Sequence, residues 1–304
     1  MRCGRKYRAV ALASCLAVLA TTPGFITTSG ASATQSLHYL RLIVLAGQSN
    51  AEGYESYATP ADGVSLLGTT TADRSVPFAF FGDYTSNVDT PPSVIDAPQV
   101  IAATGRRVFG PEIGMARYLW DHDHHHVAVE KVVRIGSSLS MWSPGNLLLT
   151  ALTSRVDDLE RWEQDHGRKT SVAAIVWVQG ETESLGASAP TGYEAELSAF
   201  LPALRAAVGG SKTTPIVEVE TSVAAYVNFQ DYLSKDNCVP TSCANLFDWN
   251  KMVRRAQVAA CKHVGHCYVV DDASYPRTGV QLHLDSQGEL GLGRAIGKTL
   301  EHRL

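Results

Sequence analysis

Five short apolar runs, rich in β-branched residues, recur along the chain and are separated by amphipathic helical patterns. Each run has the length and composition of a strand buried on both faces, which is typical of parallel sheets. This alternation predicts a three-layer α/β/α fold. Its middle layer is a flavodoxin-like, doubly wound parallel sheet of about five strands. The predicted strands are Leu40 to Ala46, Val127 to Ile135, Ala173 to Val178, Pro215 to Glu220 and Cys267 to Val270.

The segments between these strands carry apolar residues at helical spacing. One stretch, from Tyr54 to Val108, breaks the alternation because it is rich in Thr, Asp, Pro and Gly and shows little periodicity. A loop of that length is usually functional or disordered, and we expect it to be an excursion over one end of the sheet. The predicted helices are Pro111 to Asp121, Leu147 to Asp165, Tyr193 to Val208, Asp248 to Val264 and Ser286 to His302.

The first 33 residues have the pattern of a secretory signal peptide. Four basic residues between positions 2 and 8 precede the apolar run Ala9 to Ala20, and Ala31-Ser32-Ala33 supplies a small-residue cleavage site. The apolar run is too short to anchor the chain in a membrane. We therefore expect a secreted, extracellular protein whose residues 34–304 form a single domain.

The charge balance excludes some classes of partner. The full chain has 26 Lys+Arg and 30 Asp+Glu, for a formal charge of −4. Loss of four basic and no acidic residues with the signal would bring the charge to −8. Such a chain has no basic excess to hold nucleic acid or an anionic membrane, so we expect neither partner after the signal is removed.

Four cysteines remain in the predicted mature chain, an even number that favours disulfides in an exported protein. Their close spacings suggest that Cys238 pairs with Cys243 and Cys261 with Cys267. Two other connectivities are open on sequence alone. A zinc site is less favoured because the spacers differ from those of structural zinc sites.

Polar residues follow the predicted strands where ligands bind in open parallel sheets. The first strand runs into Gly47-Gln48-Ser49-Asn50, which places a serine in a tight turn. The second ends in Gly136-Ser137-Ser138-Leu139 and the third in Gln179-Gly180-Glu181, while His283 stands before the last helix. Together they offer a nucleophile, backbone donors, an amide, a carboxylate and a base.

These blocks resemble those of SGNH (GDSL-like) hydrolases, in the branch of sialate O-acetylesterases and acetylxylan esterases, carbohydrate esterase family six. The resemblance implies the SGNH hydrolase fold and a serine esterase that removes O-acetyl groups from carbohydrates without a cofactor. Two positions depart from the family pattern, Ala51 in place of Met and Val280 in place of Asp. The matching blocks are Gly47 to Asn50, Phe109-Gly110-Pro111-Glu112, Gly136 to Trp142, Trp177 to Glu181, and His283 with Gly288 and Gly293-Arg294.

By this resemblance Ser49 is the nucleophile and His283 the general base. The alternatives are an ordinary turn serine and a surface histidine. The expected oxyanion donors are the backbone amides of Ser49 and Gly136 and the side-chain amide of Gln179.

The carboxylate that should orient the base is missing from its usual place, because Val280 cannot accept a hydrogen bond. Glu181 is the expected substitute, since it is embedded in a matched block, and Asp271 and Asp272 at the end of the fifth strand are the alternatives. Glu181 alternatively serves only to fix loops through hydrogen bonds.

Two further residues are candidates for substrate binding. Asn50 follows the nucleophile, and Trp142 has an aromatic face suited to a sugar, although it could equally be a core residue. The histidine-rich cluster from Asp121 to His126 contains metal-binding side chains, but it lacks the helical spacing that aims two ligands at one ion. We therefore predict no metal and no cofactor.

Two other functions stay open at this point. One is a non-catalytic carbohydrate-binding module on the same fold, and the other is a short-chain lipase or thioesterase. The sequence does not name the sugar, so xylan, sialic acid and other acetylated glycans are all candidate substrates.

Overall fold

Strands and helices alternate along the chain as the sequence pattern predicts. The computed structural model describes residues 38–57, 67–68, 70–82, 93–94, 99–101, 106–122, 126–185, 189–222, 246–278 and 282–304. The strands in these ranges are β1 (His38–Gly47), β2 (Pro77–Phe81), β3 (Ser93–Val94), β4 (Gln99–Ile101), β5 (Arg106–Val108), β6 (Val127–Val133), β7 (Arg168–Val178), β8 (Ile216–Glu220) and β9 (Cys267–Asp271). The helices are α1 (Ser49–Glu52), α2 (Thr71–Ser75), α3 (Glu112–Asp121), α4 (Leu147–Asp165), α5 (Ala189–Ala207), α6 (Leu246–Val264) and α7 (Ser286–Leu300).

The main sheet has the strand order β3-β2-β6-β1-β7-β8-β9. The five strands expected from sequence are all parallel, and taken alone they follow the flavodoxin-like order 2-1-3-4-5. The expected fold class is therefore confirmed, with one correction to the number of strands. A sixth parallel strand, β2, pairs with β6, and the short β3 pairs antiparallel with β2 at the edge.

The sixth strand comes from the stretch between Tyr54 and Val108. The expected excursion over the end of the sheet is therefore wrong for the β2 segment, because β2 extends the sheet itself. The two remaining short strands, β4 and β5, pair with each other in a separate two-stranded sheet.

The helices cover both faces of the main sheet, as a doubly wound fold requires. Alternate residues of β1 face opposite layers: Leu42 and Val44 pack with α4, α5 and α6, while Ile43 and Leu45 pack with α3 and α7. Helix α4 shows why these segments are helical, since its buried residues recur every three or four positions. They are Leu149, Leu152, Val156, Leu159 and Glu163.

The central strands end together at one edge of the sheet, which brings the polar blocks into register. Gly47 at the end of β1 is aligned with Val133 of β6 and Val178 of β7. Gly47 has a φ of +147°, and a Cβ there would lie 2.0 Å from the carbonyl oxygen of Val178. Only glycine lets the two strand ends approach this closely, and the residues after each strand consequently meet above this edge.

One of the two expected disulfides is confirmed. Cys261 near the end of α6 is bonded to Cys267 at the start of β9, whereas Cys238 and Cys243 lie outside the described residues. The expected signal segment, residues 1–33, also lies outside them, so its cleavage stays a prediction. Among the described helices, none is both long and apolar enough to span a membrane.

Candidate active site

Ser49 lies directly beyond the end of β1, at the first residue of the short helix α1. Its relative exposure is 5%. Its carbonyl oxygen accepts hydrogen bonds from the amides of Gly53 and Tyr54, which closes the chain into a tight turn. The turn fixes the backbone on which the expected nucleophile sits.

His283 lies between β9 and α7, and its imidazole is oriented by a carboxylate. Nδ1 of His283 is 2.9 Å from Oε2 of Glu55, and the same oxygen accepts a hydrogen bond from the hydroxyl of Thr278 at 3.0 Å. The ring of Tyr54 packs edge-on against the imidazole, with centroids 4.9 Å apart. The contact with Glu55 engages Nδ1 of the imidazole, and the other ring nitrogen, Nε2, takes no part in it.

Glu55 was not among the carboxylates expected from the sequence. It follows Ser49 by six residues, belongs to no matched block, and has a φ of +70°, which is uncommon for a residue other than glycine. The expectation that Glu181 orients His283 is wrong, because it is the Glu55 carboxylate that contacts the ring. No pattern in the sequence around Glu55 marks it, since its partner is 228 positions away.

Glu181 instead holds the segments of the site together. Its Oε1 accepts a hydrogen bond from Nδ2 of Asn50 at 2.6 Å, and Oδ1 of Asn50 accepts one from the amide of Leu284 at 3.3 Å. Burial and the nearby charge of Asp272 raise the pKa of Glu181 to about 7. This chain of contacts links the third block, the residue after Ser49 and the residue after His283.

The same contacts correct the expected role of Asn50. Its side chain is 1% exposed, and both its oxygen and its nitrogen are engaged within the protein. Asn50 therefore positions the two segments that carry Ser49 and His283 and does not present a polar group to substrate.

The two alternative carboxylates serve the loop that carries His283. Asp272 is buried and forms an ion pair with Arg277 at 3.0 Å, and Arg277 also donates to the carbonyl oxygen of Leu282. Asp271 is half exposed and lies 3.3 Å from Arg254. Neither is the carboxylate paired with the His283 ring.

Two of the three expected oxyanion donors, the backbone amides of Ser49 and Gly136, are available to donate a hydrogen bond to a substrate. In the described part of the chain no acceptor is found for the backbone amides of Ser49 and Gly136. Gly136 is exposed and has a φ of +67°, with no atom within 4 Å of where its Cβ would be.

The third expected donor, Gln179, does not fit that role. Its side chain is completely buried, and its Nε2 donates to a carboxylate oxygen of Glu183 and to the carbonyl oxygen of Ser137 at 3.2 Å. Its Oε1 accepts a hydrogen bond from the hydroxyl of Tyr193 at 3.0 Å. The N–H groups of this amide therefore donate to acceptors within the protein. Its hydrogen bond to Ser137 links the third matched block, which contains Gln179, to the second.

Trp142 is a core residue rather than a wall for a sugar. It is completely buried, its ring packs edge-on against Trp177 with centroids 5.2 Å apart, and its Nε1 donates to the hydroxyl of Ser137. Because no face of the ring is open, the expected contact with substrate is wrong, and the core alternative is correct.

The block from Phe109 to Glu112 is connected through Lys131 to the turn that carries Ser49. Glu112 accepts hydrogen bonds from the amide of Gly110 at 2.9 Å and from Nζ of the fully buried Lys131 at 2.8 Å. Lys131 also donates to the carbonyl oxygen of Glu52 at 2.9 Å, which fixes the end of α1. Burial raises the pKa of the Glu52 carboxyl to about 7, against the opposing effect of the nearby Lys131 charge.

The histidine-rich cluster is only partly described. His122 stacks on Tyr118, with ring centroids 4.0 Å apart, and its Nδ1 is 2.8 Å from the carbonyl oxygen of the same residue. Residues 123–125 lie outside the described ranges. Within those ranges, no group of three or more His, Cys, Asp or Glu side chains is arranged to hold a metal ion.

Solved structures of similar fold were found at low sequence identity. A protein from Arabidopsis thaliana is 16% identical, with a TM-score of 0.59 over 87% of this chain and 99% of that one. A carbohydrate acetylesterase from Xanthomonas citri is 17% identical, with a TM-score of 0.56 over 86% of this chain and 56% of that one. NanS is 14% identical, with a TM-score of 0.51 over 86% of this chain and 96% of that one. At these identities the likeness shows the fold alone.

The family is shown by a separate comparison. A family model described as carbohydrate esterase, sialic acid-specific acetylesterase, matches residues 39–301, whereas no curated protein matches the chain. The protein is therefore a carboxylic ester hydrolase of the carbohydrate acetylesterase class. The chain belongs to the sialic acid-specific acetylesterase family, which confirms the resemblance read from the sequence blocks.

Proposed function

We propose that this protein is a secreted serine esterase that removes O-acetyl groups from carbohydrates, with Ser49 as nucleophile and His283 as general base. The observation that carries the proposal is the contact between His283 and Glu55. A catalytic imidazole needs an acceptor at one nitrogen to hold the tautomer in which the other nitrogen takes a proton. Glu55 supplies that acceptor at Nδ1, 2.9 Å away, which leaves Nε2 as the base.

Hydrolysis then proceeds in two halves. Oγ of Ser49 attacks the acetyl carbonyl carbon while Nε2 of His283 takes the hydroxyl proton. The bond from that carbon to the sugar oxygen then breaks, and the sugar leaves with the proton from His283. Water then attacks the acetyl-serine, again losing its proton to His283, and acetate leaves as Ser49 recovers its hydroxyl proton. No cofactor enters either half.

Charge develops on the acetyl carbonyl oxygen in each half-reaction, and the proposal assigns its stabilisation to the amides of Ser49 and Gly136. Two such donors aimed at the oxyanion contribute about 3 kcal/mol each by analogy with measured cases. Gln179 acts through the backbone of Ser137, which it anchors one residue beyond Gly136. It is a positioning residue in this scheme.

The test is hydrolysis of 4-nitrophenyl acetate by the purified mature protein and by Ser49→Ala and His283→Ala. Because the pair acts as a unit, each variant should lose several orders of magnitude in kcat, on the order of 10³ or more, with an unchanged circular dichroism spectrum. Ser211→Ala and His302→Ala, at exposed positions, are the matched controls. More than about a tenth of the parent kcat in either Ser49 or His283 variant contradicts the assignment.

The choice of acyl group and of sugar is tested with the same preparations. Rates on 4-nitrophenyl acetate, butyrate and octanoate separate an acetylesterase from a lipase, and an esterase of this kind should be fastest on acetate. Acetate release from O-acetylated sialic acid and from acetylated xylan then ranks the carbohydrate substrates. A protein that binds these glycans but leaves all of the esters intact is the non-catalytic module.

Secretion rests on the signal pattern of residues 1–33 and is supported by the disulfide between Cys261 and Cys267, since such bonds form and persist in oxidising compartments. Expression of the full-length chain should release a protein into the medium whose N-terminus is Thr34. Retention of the uncleaved chain inside the cell contradicts this part of the proposal.

A further inference from the structure

His283 lies in one of two short segments that pair with each other between β9 and α7, residues 276–278 and 282–285. These two base segments are joined by backbone hydrogen bonds of 3.0 and 3.1 Å, which the amides of Thr278 and Asp285 donate. Such bonds hold the segments to each other. They leave the position of the pair relative to the sheet to side-chain contacts.

The guanidinium of Arg277 supplies such a contact. Its Nη1 donates to the carbonyl oxygen of Leu282 at 3.0 Å, and its Nη2 donates to the carbonyl oxygen of Asp272 at 3.2 Å. Nη2 is also 3.0 Å from Oδ2 of Asp272, and the Arg277 side chain is only 4% exposed. The guanidinium therefore links the residue directly before His283 to the residue directly after β9.

Asp272 in turn is fixed to the main sheet. Its amide donates to the carbonyl oxygen of Glu220, the last residue of β8, at 3.4 Å. A guanidinium is planar and presents its N–H groups in a fixed fork, so the distance between its two acceptors can vary little. Arg277 therefore sets how far the segment with His283 lies from the carboxyl ends of the strands.

The position of the base segments decides the contact that orients the proposed base. Nδ1 of His283 and the hydroxyl of Thr278 both meet Oε2 of Glu55, at 2.9 and 3.0 Å. Because His283 and Thr278 belong to different base segments, a displacement of the pair would disturb both contacts at once. A misplacement of about 1 Å caused by a residue remote from the chemistry can cost about a hundredfold in rate.

Charge explains why an arginine suits this position. Burial raises the pKa of Asp272 to about 6 and that of Glu181 to about 7, and the charge of Arg277 opposes both rises. A guanidinium is not deprotonated in proteins. The attraction between Arg277 and the ionised Asp272 therefore does not depend on the protonation state of the arginine.

Arg205 offers a matched comparison elsewhere in the fold. It is also buried, and its Nη1 and Nη2 donate to the carbonyl oxygens of Lys212 and Gly265 at 3.2 and 2.9 Å. These acceptors precede β8 and β9, whereas Ser49 follows β1, so they lie at the opposite end of the parallel strands. The two arginines make the same kind of contact with loop carbonyls, but only one of them does so beside the candidate active site.

We propose that Arg277 is a positioning residue that holds His283 in contact with Glu55. It does so by linking Leu282 to Asp272 and thereby to the sheet. The inference rests on the proposed esterase function, in which His283 is the general base, and adds a residue that acts on that base through the backbone.

The kinetic test compares Arg277→Gln and Arg277→Lys with Arg205→Gln, with kcat and KM for 4-nitrophenyl acetate measured below the unfolding transition of every variant. In Arg277→Gln we expect kcat to fall about a hundredfold with KM within about twofold of the parent value, since the base is displaced while the substrate contacts remain. Arg277→Lys keeps the charge but not the fork, so its kcat should lie between those of Arg277→Gln and the parent. Arg205→Gln should lower the melting temperature and leave kcat within about twofold of the parent value.

A second pair of variants covers the case in which Arg277→Gln does not fold, since that change leaves the Asp272 carboxylate buried without its partner. Asp272→Asn/Arg277→Gln removes both charges together and should show the same loss of kcat, because the contact with Leu282 is absent. Asp272→Asn alone leaves that contact in place and should lose less than about tenfold in kcat.

The contact between His283 and Glu55 is observed independently of turnover. Nuclear magnetic resonance of the protein labelled with ¹⁵N at histidine should show an Nδ1–H proton of His283 that is shifted downfield and protected from exchange with water, because it is bonded to the carboxylate. The signal is assigned by its loss in His283→Ala. It should disappear in Arg277→Gln and in the double variant and persist in Arg205→Gln, which a role of Arg277 in stability alone would not produce.

A kcat within about threefold of the parent value in the folded Arg277→Gln or double variant would overturn the inference, as would an equal loss of kcat in Arg205→Gln. Survival of the Nδ1–H signal in the Arg277 variants would also overturn it. A parent protein without that signal would mean that the contact to be positioned does not form. If the parent shows the signal and loses it on substitution of Arg277 but hydrolyses no ester, the esterase proposal fails and the positioning of His283 by Arg277 stands.

Discussion

Glu55 occupies a backbone conformation that costs energy for any residue with a Cβ. Its φ of +70° lies in the left-handed region, which a non-glycine residue adopts at a cost of about 1 kcal/mol or more. The conformation persists because the carboxylate is engaged from two sides, by His283 and by the hydroxyl of Thr278. Strained residues of this kind cluster at active sites, which supports the proposed role of Glu55 beside His283.

The first prediction concerns this contact. Glu55→Gln keeps the size of the side chain but replaces the carboxylate acceptor, so His283 loses the partner that holds its tautomer. The corresponding change in a known triad lowers turnover about 10⁴-fold. We expect kcat on 4-nitrophenyl acetate to fall at least about a hundredfold while KM changes little and the melting temperature stays near that of the parent.

Glu181→Gln is the matched control for that variant. Its amide can still accept the hydrogen bond from Asn50, so the positioning contact is retained and kcat should fall less than about tenfold. If Glu181→Gln is the more damaging change, the acid that supports catalysis is Glu181 and the contact of Glu55 with His283 is only structural.

Some residues of the candidate site can be predicted from the sequence and others cannot, for a physical reason. Ser49 and His283 stand in recognisable blocks, because the geometry of a strand end and a helix start constrains their neighbours in the chain. Glu55 acts across 228 positions, and nothing local distinguishes a glutamate that meets a distant histidine from one that faces water. Trp142 illustrates the opposite error, since its place beside a matched block does not reveal that Trp177 and Ser137 enclose it.

At the scale of elements, the turn from β1 into α1 depends on one glycine. The second prediction is that Gly47→Ala yields little soluble protein or a markedly lowered melting temperature, because its methyl group would lie 2.0 Å from the carbonyl oxygen of Val178. Gly209→Ala is the control, since Gly209 also has a positive φ, +77°, but no atom lies within 4 Å of its Cβ position. It should lose only about 1 kcal/mol of stability, from the backbone conformation alone. Equal losses in both variants would contradict the steric explanation.

The disulfide between α6 and β9 gives the third prediction. Cys261→Ala/Cys267→Ala should lower the free energy of unfolding in urea by about 2 kcal/mol, as expected for closing a loop of sequence separation 6. Cys267 begins β9 at the edge of the sheet opposite to Ser49, so kcat should remain close to that of the parent. A large loss of kcat without a loss of stability would contradict a purely structural role for this bond.

The five expected strands and the sixth parallel strand, β2, differ in their local signals. The five expected strands are long or flanked by helical patterns, and their apolar runs are continuous because both faces are covered. β2 is a five-residue strand, Pro77–Phe81, that begins with a proline and lies in a stretch without periodicity. A proline within a run argues against a central strand, but at the first residue its missing N–H is tolerated. Only the pairing of β2 with β6 identifies it as part of the sheet.

At the scale of the whole molecule, the described part of the chain buries more carboxyl groups than the cations buried with them can neutralise. Burial raises the pKa of Glu52 and Glu181 to about 7, that of Glu130 to about 8 and that of Asp272 to about 6. Burial also raises the pKa values of Glu218 and Glu289 well above the ordinary value. Lys131 and Arg277 are among the few cations buried with them. The folded protein therefore retains protons on these carboxyl groups up to a higher pH than the unfolded chain does.

The fourth prediction follows from the raised pKa values of these buried carboxyl groups. Between about pH 4.5, where an unfolded glutamate ionises, and about pH 8, the native state retains protons that the unfolded state has released. Raising the pH through this range therefore favours unfolding, with each unit of raised pKa corresponding to about 1.4 kcal/mol. We expect the melting temperature to be highest near about pH 4.5 and to fall steadily toward about pH 8, as measured by differential scanning calorimetry.

Glu130→Gln tests whether buried carboxyl groups cause that slope. Glu130 lies in the middle of the sheet, completely buried, with Oε2 unpartnered in the described part of the chain and Arg155 at 3.5 Å from Oε1. A glutamine there cannot ionise, so the variant should lose less stability than the parent between pH 5 and 8.5, and the two melting curves should converge or cross at alkaline pH. The exposed Glu194→Gln is the control and should leave the slope unchanged. A slope unaffected by Glu130→Gln, or a melting temperature that rises with pH, would mean that these carboxyl groups are ionised in the folded protein and that its interior supplies charge compensation beyond Lys131, Arg155 and Arg277.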